Sequence, residues 1–180
     1  GDFARHYDQA VHGQASHFVW LNRSKESIAV DVKSEAGRQI LLDLVARADV
    51  FLQSLAPDAA ARLGFGAEEL RDKYPRLIVI DMSGYGSAGP RRERKAYDML
   101  VQAETGMISV TGTPETATKT GIPVSDIAAG MYALTSILSA LFRRERTGKG
   151  ALVEVSMFDS TVEWLGHPMY MKMYADKQIP

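Results

Sequence analysis

The chain has 180 residues, of which 46% are hydrophobic and 24% are charged, and these proportions exclude a disordered or fibrous protein. Its 21 Lys and Arg side chains balance 22 Asp and Glu side chains, so no global charge directs it to nucleic acid or to an anionic membrane. The absence of cysteine excludes disulfides, thiolate catalysis and cysteine metal sites, and it fits a reducing compartment such as the cytoplasm.

The predicted elements alternate between short β-branched runs and segments of helical period, which indicates an α/β fold with a parallel sheet. Strands are predicted at residues 27–32, 49–55, 77–83 and 152–156. Helices are predicted at residues 35–48 with Ser34 as N-cap, at 67–73, at 97–105, at 126–146 and around 158–165, with a short helical turn at Pro57. Both ends lack the elements that would close such a domain, so we expect one domain over residues 1–180, truncated at each end.

Membrane and metal partners are not indicated. The longest apolar runs, such as residues 77–80, are far shorter than the ~20 residues of a membrane helix, and the N-terminus lacks the pattern of a secretion signal. The four histidines (His6, His12, His17 and His167) show no zinc spacing, so we expect no metal site.

A literal G-x-G-x-x-G occupies residues 84–89, directly after the predicted strand at 77–83. A dinucleotide site needs the third glycine to open a helix, but Pro90 and a charged run follow here. We therefore favour a glycine-rich surface loop over a nicotinamide site.

Two clusters of basic residues occur along the chain. Residues 91–95 (RRERK) are either a solvated loop or, since they follow the carboxyl end of a parallel strand, a site for a phosphorylated ligand. Residues 143–146 (RRER) end a long predicted helix, where the negative end of the helix dipole explains them, and no chemistry is assigned to them.

Asp126 lies between an extended segment and the long predicted helix, so the sequence leaves two interpretations open. It is either the N-cap of that helix or, because its neighbours are small, a carboxylate accessible to a reacting acyl group and hence a covalent nucleophile. Farther along, large apolar side chains are dense enough to predict a surface covered by further chain or by a partner. They are Trp164, Met169, Tyr170, Met171, Met173 and Tyr174.

An ordered series of motifs resembles the class III CoA-transferases, a family that includes acyl-CoA racemases and carnitine CoA-transferases. The motifs are LNRSKESIAVDVKSEAGRQILLDLVARADVF, LAPDAAARLGFGAEELRDKYPRLIVIDMSGYGSAGP, KAYDMLVQAETGMISVTG, SDIAAGMYA and RRERTGKGALVEVSMFDS. The resemblance covers almost the whole chain. It implies a Rossmann-like, CoA-binding large domain of a longer chain whose second, small domain is absent here. It also implies an interlocked homodimer, so we expect this fragment to depend on a partner or on further chain and to be inactive alone.

The resemblance also assigns chemistry to individual residues. Asp126 matches the family's aspartate, which forms a mixed anhydride and then an aspartyl-CoA thioester as CoA moves from an acyl-CoA to a carboxylic acid. CoA or acyl-CoA then binds as a substrate, with no tightly bound cofactor. The matching CoA-binding positions are Val30, Asp31, Val32, Lys33, Ser54, Leu55, Ala56, Arg62, Lys95, Ala96, Tyr97 and Asp98.

Two departures from the family pattern affect this assignment. Many members carry Asn-Phe where this chain has Ser54-Leu55, so side-chain contacts to CoA change there. The racemase branch has a histidine in place of Tyr97, and a tyrosine, with a reference pKa near 10, is a poor replacement for it as a base. A transferase that moves CoA to a small carboxylic or dicarboxylic acid, with succinyl-CoA as an example of a donor, is the leading hypothesis, and the wording of the motifs resembles members that act on short dicarboxylates. A racemase and a non-catalytic nucleotide-binding or assembly module are the alternatives.

Overall fold

The computed structural model describes residues 2–175, which fall into two compact units, Gly1–Asp31 and Val32–Pro180. The first unit contains a 3₁₀ helix, Phe3–His6, and helix α1, Ser16–Asn22. Ala15, the N-cap residue of α1, has no side-chain acceptor, and the carboxylate of Asp8 accepts instead from the backbone N–H of Ser16 at 2.9 Å. Hydrogen bonds from the amides of Ala10 and Ser16 and from the Ser16 hydroxyl lower the pKa of Asp8.

The second unit is built on a sheet of three parallel strands. The strands of this unit are β1 (Val50–Gln53), β2 (Ile78–Ser83), β3 (Gly112–Thr113), β4 (Thr116–Ala117) and β5 (Ala151–Ser156). The parallel sheet has the order β1-β2-β5, and β3 and β4 form a separate antiparallel pair. Its helices are α2 (Glu35–Val45), α3 (Ala59–Arg62), α4 (Ala67–Lys73), α5 (Asp98–Thr105), α6 (Val124–Thr147), α7 (Met157–Trp164) and α8 (Gly166–Ala175).

Helices cover both faces of the sheet because successive strand residues point to opposite sides. Ile78 and Ile80 pack with Ala129 and Ala133 of α6 on one face. On the other face, the buried Val79 packs with residues from α2, α3 and α4. The predicted α/β fold, a parallel sheet flanked by helices, is thus confirmed, and Ser34 does cap α2, since its hydroxyl accepts from Gly37 N at 3.1 Å.

The strand predicted at residues 27–32 is wrong, because these residues belong to no strand in the described part of the chain. Their alternating β-branched side chains give strand propensity, but a strand forms only where its backbone pairs with a neighbour. The other three strands form within two residues of the predicted bounds.

Helix α6 is long and apolar enough to cross a membrane by length and composition alone. A core helix passes the same test, and one face of α6 packs on the sheet through Ala129, Ala133 and Ala140. The stretch predicted to need a covering partner forms α7 and α8. Within it, Trp164, Met169, Tyr170, Met173 and Tyr174 are exposed.

The carboxyl end of α6 is held to the sheet by a buried arginine. Arg144 is 7% exposed, and its Nη2 donates to Asp49 Oδ1 at 2.7 Å while its Nη1 donates to the carbonyl of Arg76 at 3.1 Å. Asp49 and Arg76 lie just before β1 and β2. The helix-dipole interpretation of the basic cluster at residues 143–146 therefore missed an anchor between α6 and the amino ends of two strands.

Arg144→Ala should destabilise the protein by about 3 kcal/mol, because it removes the charge-assisted hydrogen bonds to Asp49 and to the Arg76 carbonyl. Arg146→Ala is the matched control, since Arg146 also lies in the last turn of α6 but stacks on the exposed ring of Phe142. Its cost should stay within about 0.5 kcal/mol. Urea denaturation measures both free energies of unfolding, and equal losses would contradict the anchoring role.

Candidate functional site

The carboxyl ends of the strands bring polar side chains together on one face of the sheet. Gln53, Asp81 and Glu154 occupy neighbouring register positions on β1, β2 and β5. Gln53 Nε2 donates to Asp81 Oδ1, and Gln53 Oε1 accepts from Leu55 N at 2.6 Å. Partial burial, the Glu154 carboxylate and, more weakly, Asp58 raise the pKa of Asp81, against the hydrogen bond from Gln53.

These residues line a cavity of about 480 Å³ between the sheet and the α3–α4 region. The cavity is acidic, with Asp58, Asp81 and Glu154 on its walls and Arg92 among its lining residues. Arg92 Nη2 contacts Asp58 Oδ1 at 2.5 Å, which ties the turn after β1 to the loop after β2.

The glycine motif at residues 84–89 forms a loop rather than a dinucleotide site. A Cβ on Gly84 would lie 2.1 Å from the Cβ of Ala96, so glycine allows residues 95–97 to approach the end of β2 closely. Gly86 and Gly89 have positive φ angles of +88° and +91°. Turns follow Gly89, and the next helix, α5, begins only at Asp98, so no helix N-terminus faces a pyrophosphate here.

The arginines of residues 91–95 are already paired within the chain. Arg91 and Arg94 both contact the Glu104 carboxylate, and Arg92 contacts Glu93 as well as Asp58. Burial and the Glu104 carboxylate also raise the pKa of Tyr85. Lys95, by contrast, takes part in no salt bridge with any residue between positions 2 and 175.

Asp126 is the third residue of α6 and is exposed, and this corrects the N-cap interpretation. The helix begins two residues earlier, at Val124, and its N-cap residue is Pro123, which has no side-chain acceptor. Neighbouring Ser125 is fully buried. Asp126 therefore lies at the positive end of the helix dipole, next to a fully buried residue.

The first turn of α6 is capped by a residue from α5. Asp98 Oδ1 accepts from Ser125 N at 2.8 Å, and Asp98 Oδ2 accepts from Gln102 Nε2 at 2.6 Å. Gln102 is fully buried, and its Oε1 accepts from the backbone N–H of Thr120 at 3.0 Å. Asp98 and Asp126, both predicted site residues, are thereby brought to one place.

The other predicted CoA positions fall in three segments. Val30 and Asp31 end the first unit, and Val32 and Lys33 begin the second. Residues 54–56 are exposed after β1, close in sequence to Arg62, whose Nη1 donates to the Pro57 carbonyl at 3.4 Å. Lys95, Ala96 and Tyr97 lead into α5, and Tyr97 is 59% exposed.

Sequence reasoning missed Gln102, Thr120, Gln53, Asp81 and Glu154. Gln102 follows Asp98 by four residues in a predicted helix, and this spacing was an available signal for their hydrogen bond. The alignment of Asp81 with Glu154 depends on which strands are neighbours, and no local pattern gives that.

Comparisons with known proteins agree on one family. The sequence model of CoA-transferase family III matches residues 1–180. An acetyl-CoA:oxalate CoA-transferase from Acetobacter aceti is 43% identical over 94% of this chain and 44% of its own length. A succinyl-CoA:glutarate CoA-transferase from Homo sapiens is 33% identical over 86% of this chain and 35% of its own length.

A solved structure extends this agreement to the fold. The crystal structure of a CAIB/BAIF family protein from Brucella suis superimposes with a TM-score of 0.92 at 32% identity, over 99% of this chain and 49% of that protein. The architecture and the site thus define a chain of the α/β class with a candidate carboxylate at a helix N-terminus. It belongs to CoA-transferase family III, and it spans less than half the length of these relatives.

Asp81→Asn should stabilise the protein more at pH 7 than at about pH 3. Because the folded-state pKa of Asp81 is raised, its contribution to stability is complete below the unfolded value of about 4 and is lost as the pH rises through the folded value. Asparagine still accepts from Gln53 but carries no charge. Urea midpoints at the two pH values measure the effect.

Glu154→Gln is the companion variant for this test, because it removes the facing charge and leaves Asp81 in place. It should act in the same direction, and the double variant should gain less than the sum of the single variants. An equal gain in the free energy of unfolding of Asp81→Asn at both pH values would contradict the charge repulsion between Asp81 and Glu154.

Proposed function

We propose that this chain is the CoA-binding, catalytic part of a transferase that moves CoA from an acyl-CoA to a small carboxylic acid. The observation that carries the proposal is Asp126, an exposed carboxylate in the first turn of α6 in a family III chain. Positive dipole ends and backbone amides stabilise the oxyanions that form in acyl transfer, so this position suits a covalent nucleophile.

The proposed reaction consists of two acyl exchanges at Asp126. Its carboxylate attacks the donor thioester and releases CoA thiolate, leaving a mixed anhydride. The thiolate then attacks the aspartyl carbonyl, which releases the donor acid and leaves an aspartyl-CoA thioester. The acceptor carboxylate attacks that thioester, and the released thiolate takes the acceptor acyl group from the second anhydride, which restores Asp126.

The phosphates of CoA are proposed to meet Arg62 and Lys95. Within the described part of the chain neither cation belongs to a salt bridge, whereas Arg91, Arg92 and Arg94 are each paired with a carboxylate. A cation without a partner carboxylate loses less on binding phosphate than one that must first break an ion pair. Tyr97 and Asp98 are proposed to border the thioester.

Relatives support a small dicarboxylic acid as acceptor, since those compared act on oxalate and glutarate by name. A racemase is the weaker alternative because Tyr97 stands where a racemase would need a histidine base, and a non-catalytic module is weaker because Asp126 is exposed.

A homodimer is proposed because α6 exposes an apolar stripe, formed by Met131, Leu134, Leu138 and Phe142. A cytoplasmic location is proposed from the absence of cysteine.

Asp126→Ala in the full-length protein should abolish transferase turnover and leave CoA binding largely intact, because the covalent step alone needs this carboxylate. Incubation with succinyl-CoA, trapping with hydroxylamine or borohydride and peptide mass spectrometry should find the adduct on the wild-type peptide containing Asp126. Glu69→Gln, which changes an exposed carboxylate at the third position of α4, is the control and should retain the adduct. Turnover by Asp126→Ala would reject the proposed mechanism.

Lys95→Ala should raise the KM for acyl-CoA about tenfold with little change in kcat, as expected when one charge-assisted contact to a phosphate is lost. Arg94→Ala removes the adjacent cation, which is already paired with Glu104, and should raise KM by less than about threefold. Steady-state kinetics compare the two variants. Equal effects would show that Lys95 contributes only general positive charge.

A further inference from the structure

The N-terminus of α6 depends on a cap from outside the helix. The first backbone amides of a helix have no partner in their own helix, and Pro123 at the N-cap position has no side chain that could accept from them. Val124 N donates to the Ile122 carbonyl at 2.8 Å, and Ser125 N donates to Asp98 Oδ1. The residue that precedes Asp126 is therefore fixed by a carboxylate on α5.

That carboxylate is itself held by Gln102, one turn along α5. Gln102 Nε2 donates to Asp98 Oδ2 at 2.6 Å, and Gln102 Oε1 accepts from Thr120 N at 3.0 Å and lies 3.1 Å from Thr120 Oγ1. These partners determine the orientation of the amide, because a carboxylate only accepts and a backbone N–H only donates. Both ends of a fully buried side chain are thus occupied.

The hydrogen bonds of Thr120 hold the segment that leads into α6. Thr120 Oγ1 lies 2.7 Å from the Ile122 carbonyl, which in turn accepts from Val124 N. Gln102 therefore acts on the first turn of α6 from two sides, through Asp98 and through residues 120–122. Ser125 Oγ is buried without a partner among the described residues, so the backbone of Ser125 makes the connection.

We propose that Gln102 is a positioning residue for Asp126: its amide joins Asp98 to Thr120 and so fixes the backbone from which the Asp126 carboxylate projects. The proposal rests on Asp126 being the nucleophile. A reacting carboxylate must hold its attack geometry closely, and a misplacement of about 1 Å costs a reaction up to about 100-fold in rate. Gln102 needs no contact with either substrate for this role.

The test uses two replacements of Gln102 in the full-length protein. Gln102→Met keeps the length of the side chain and removes its hydrogen bonds to Asp98 and Thr120, so kcat should fall about 10- to 100-fold while the KM for succinyl-CoA changes less than about threefold. Gln102→Glu places a carboxyl group beside Asp98. When it is protonated it can donate to Asp98 and accept from Thr120, whereas its ionised form repels Asp98.

The pH profile separates these two variants. Relative to wild type, Gln102→Glu should regain kcat as the pH falls, and Gln102→Met should stay low at every pH. Helices α6 and α7 pack against α5. The titratable groups on these three helices are Asp98, Glu104, Asp126, Tyr132, Arg143, Arg144, Glu145, Arg146, Asp159 and Glu163. Of these, Asp98 hydrogen-bonds Gln102. All of them are unchanged in both variants, so a difference between the two profiles reports the group introduced at position 102.

Gln39 provides a matched control on the surface. Its Nε2 donates to Asp43 Oδ1 at 2.7 Å, with the same spacing of four residues on an exposed face of α2. Gln39→Met and Gln39→Glu should leave kcat and its pH profile unchanged, because surface substitutions of this kind have small effects.

Hydrogen exchange distinguishes this proposal from the proposed function, because it does not depend on turnover. The amide of Ser125, followed in a peptide covering residues 118–127, should exchange at least tenfold faster in Gln102→Met than in wild type. Unchanged exchange together with wild-type kcat would overturn the positioning role. Faster exchange combined with turnover by Asp126→Ala would keep the structural link and overturn its catalytic consequence.

Discussion

The cap that Asp98 places on α6 is the interaction on which the arrangement of the site depends. Asp98 begins one helix and caps another, so its negative charge lies at the positive ends of two dipoles and is compatible with partial burial. The first unit uses the same solution, since Asp8 supplies the acceptor that Ala15 cannot offer to α1. In each case a carboxylate distant in sequence compensates for an N-cap residue without an acceptor, and it joins two segments in doing so.

Helix α6 is fixed at both ends by groups of opposite charge. With 24 residues at 1.5 Å per residue it is about 36 Å long, enough to run the length of the sheet that it covers. Asp98 holds its positive end, and Arg144, at its negative end, bonds the chain before β1 and β2. Arg144 anchors the carboxyl end of α6 at the amino ends of the strands, and alanines of α6 pack along β2. The other end of α6, which carries Asp126, therefore lies toward the carboxyl ends of the strands.

Local patterns were sufficient to predict the strands that pair and the helices that follow them, because apolar runs and helical periods are properties of adjacent residues. They were insufficient at residues 27–32, because a strand forms there only if its backbone pairs with a neighbouring strand. They were also insufficient at Asp126, because α6 begins two residues before this predicted N-cap. The roles of Arg144 and Gln102 depend on partners 18 to 95 residues away in sequence. The candidate nucleophile itself was found by resemblance, and the hydrogen bonds that hold it came from the structure.

Acidic and basic side chains occupy separate places at the carboxyl ends of the strands, although the net charge of the chain is only −1. The cavity beside β1, β2 and β5 carries Asp58, Asp81 and Glu154, and the pKa of Asp81 is raised first by its partial burial and then by the Glu154 carboxylate. Coulomb repulsion from these carboxylates disfavours a ligand with several phosphates at this place. In the proposed transferase its anionic part is therefore directed to Arg62 and Lys95, and its thioester end is left to approach the N-terminus of α6.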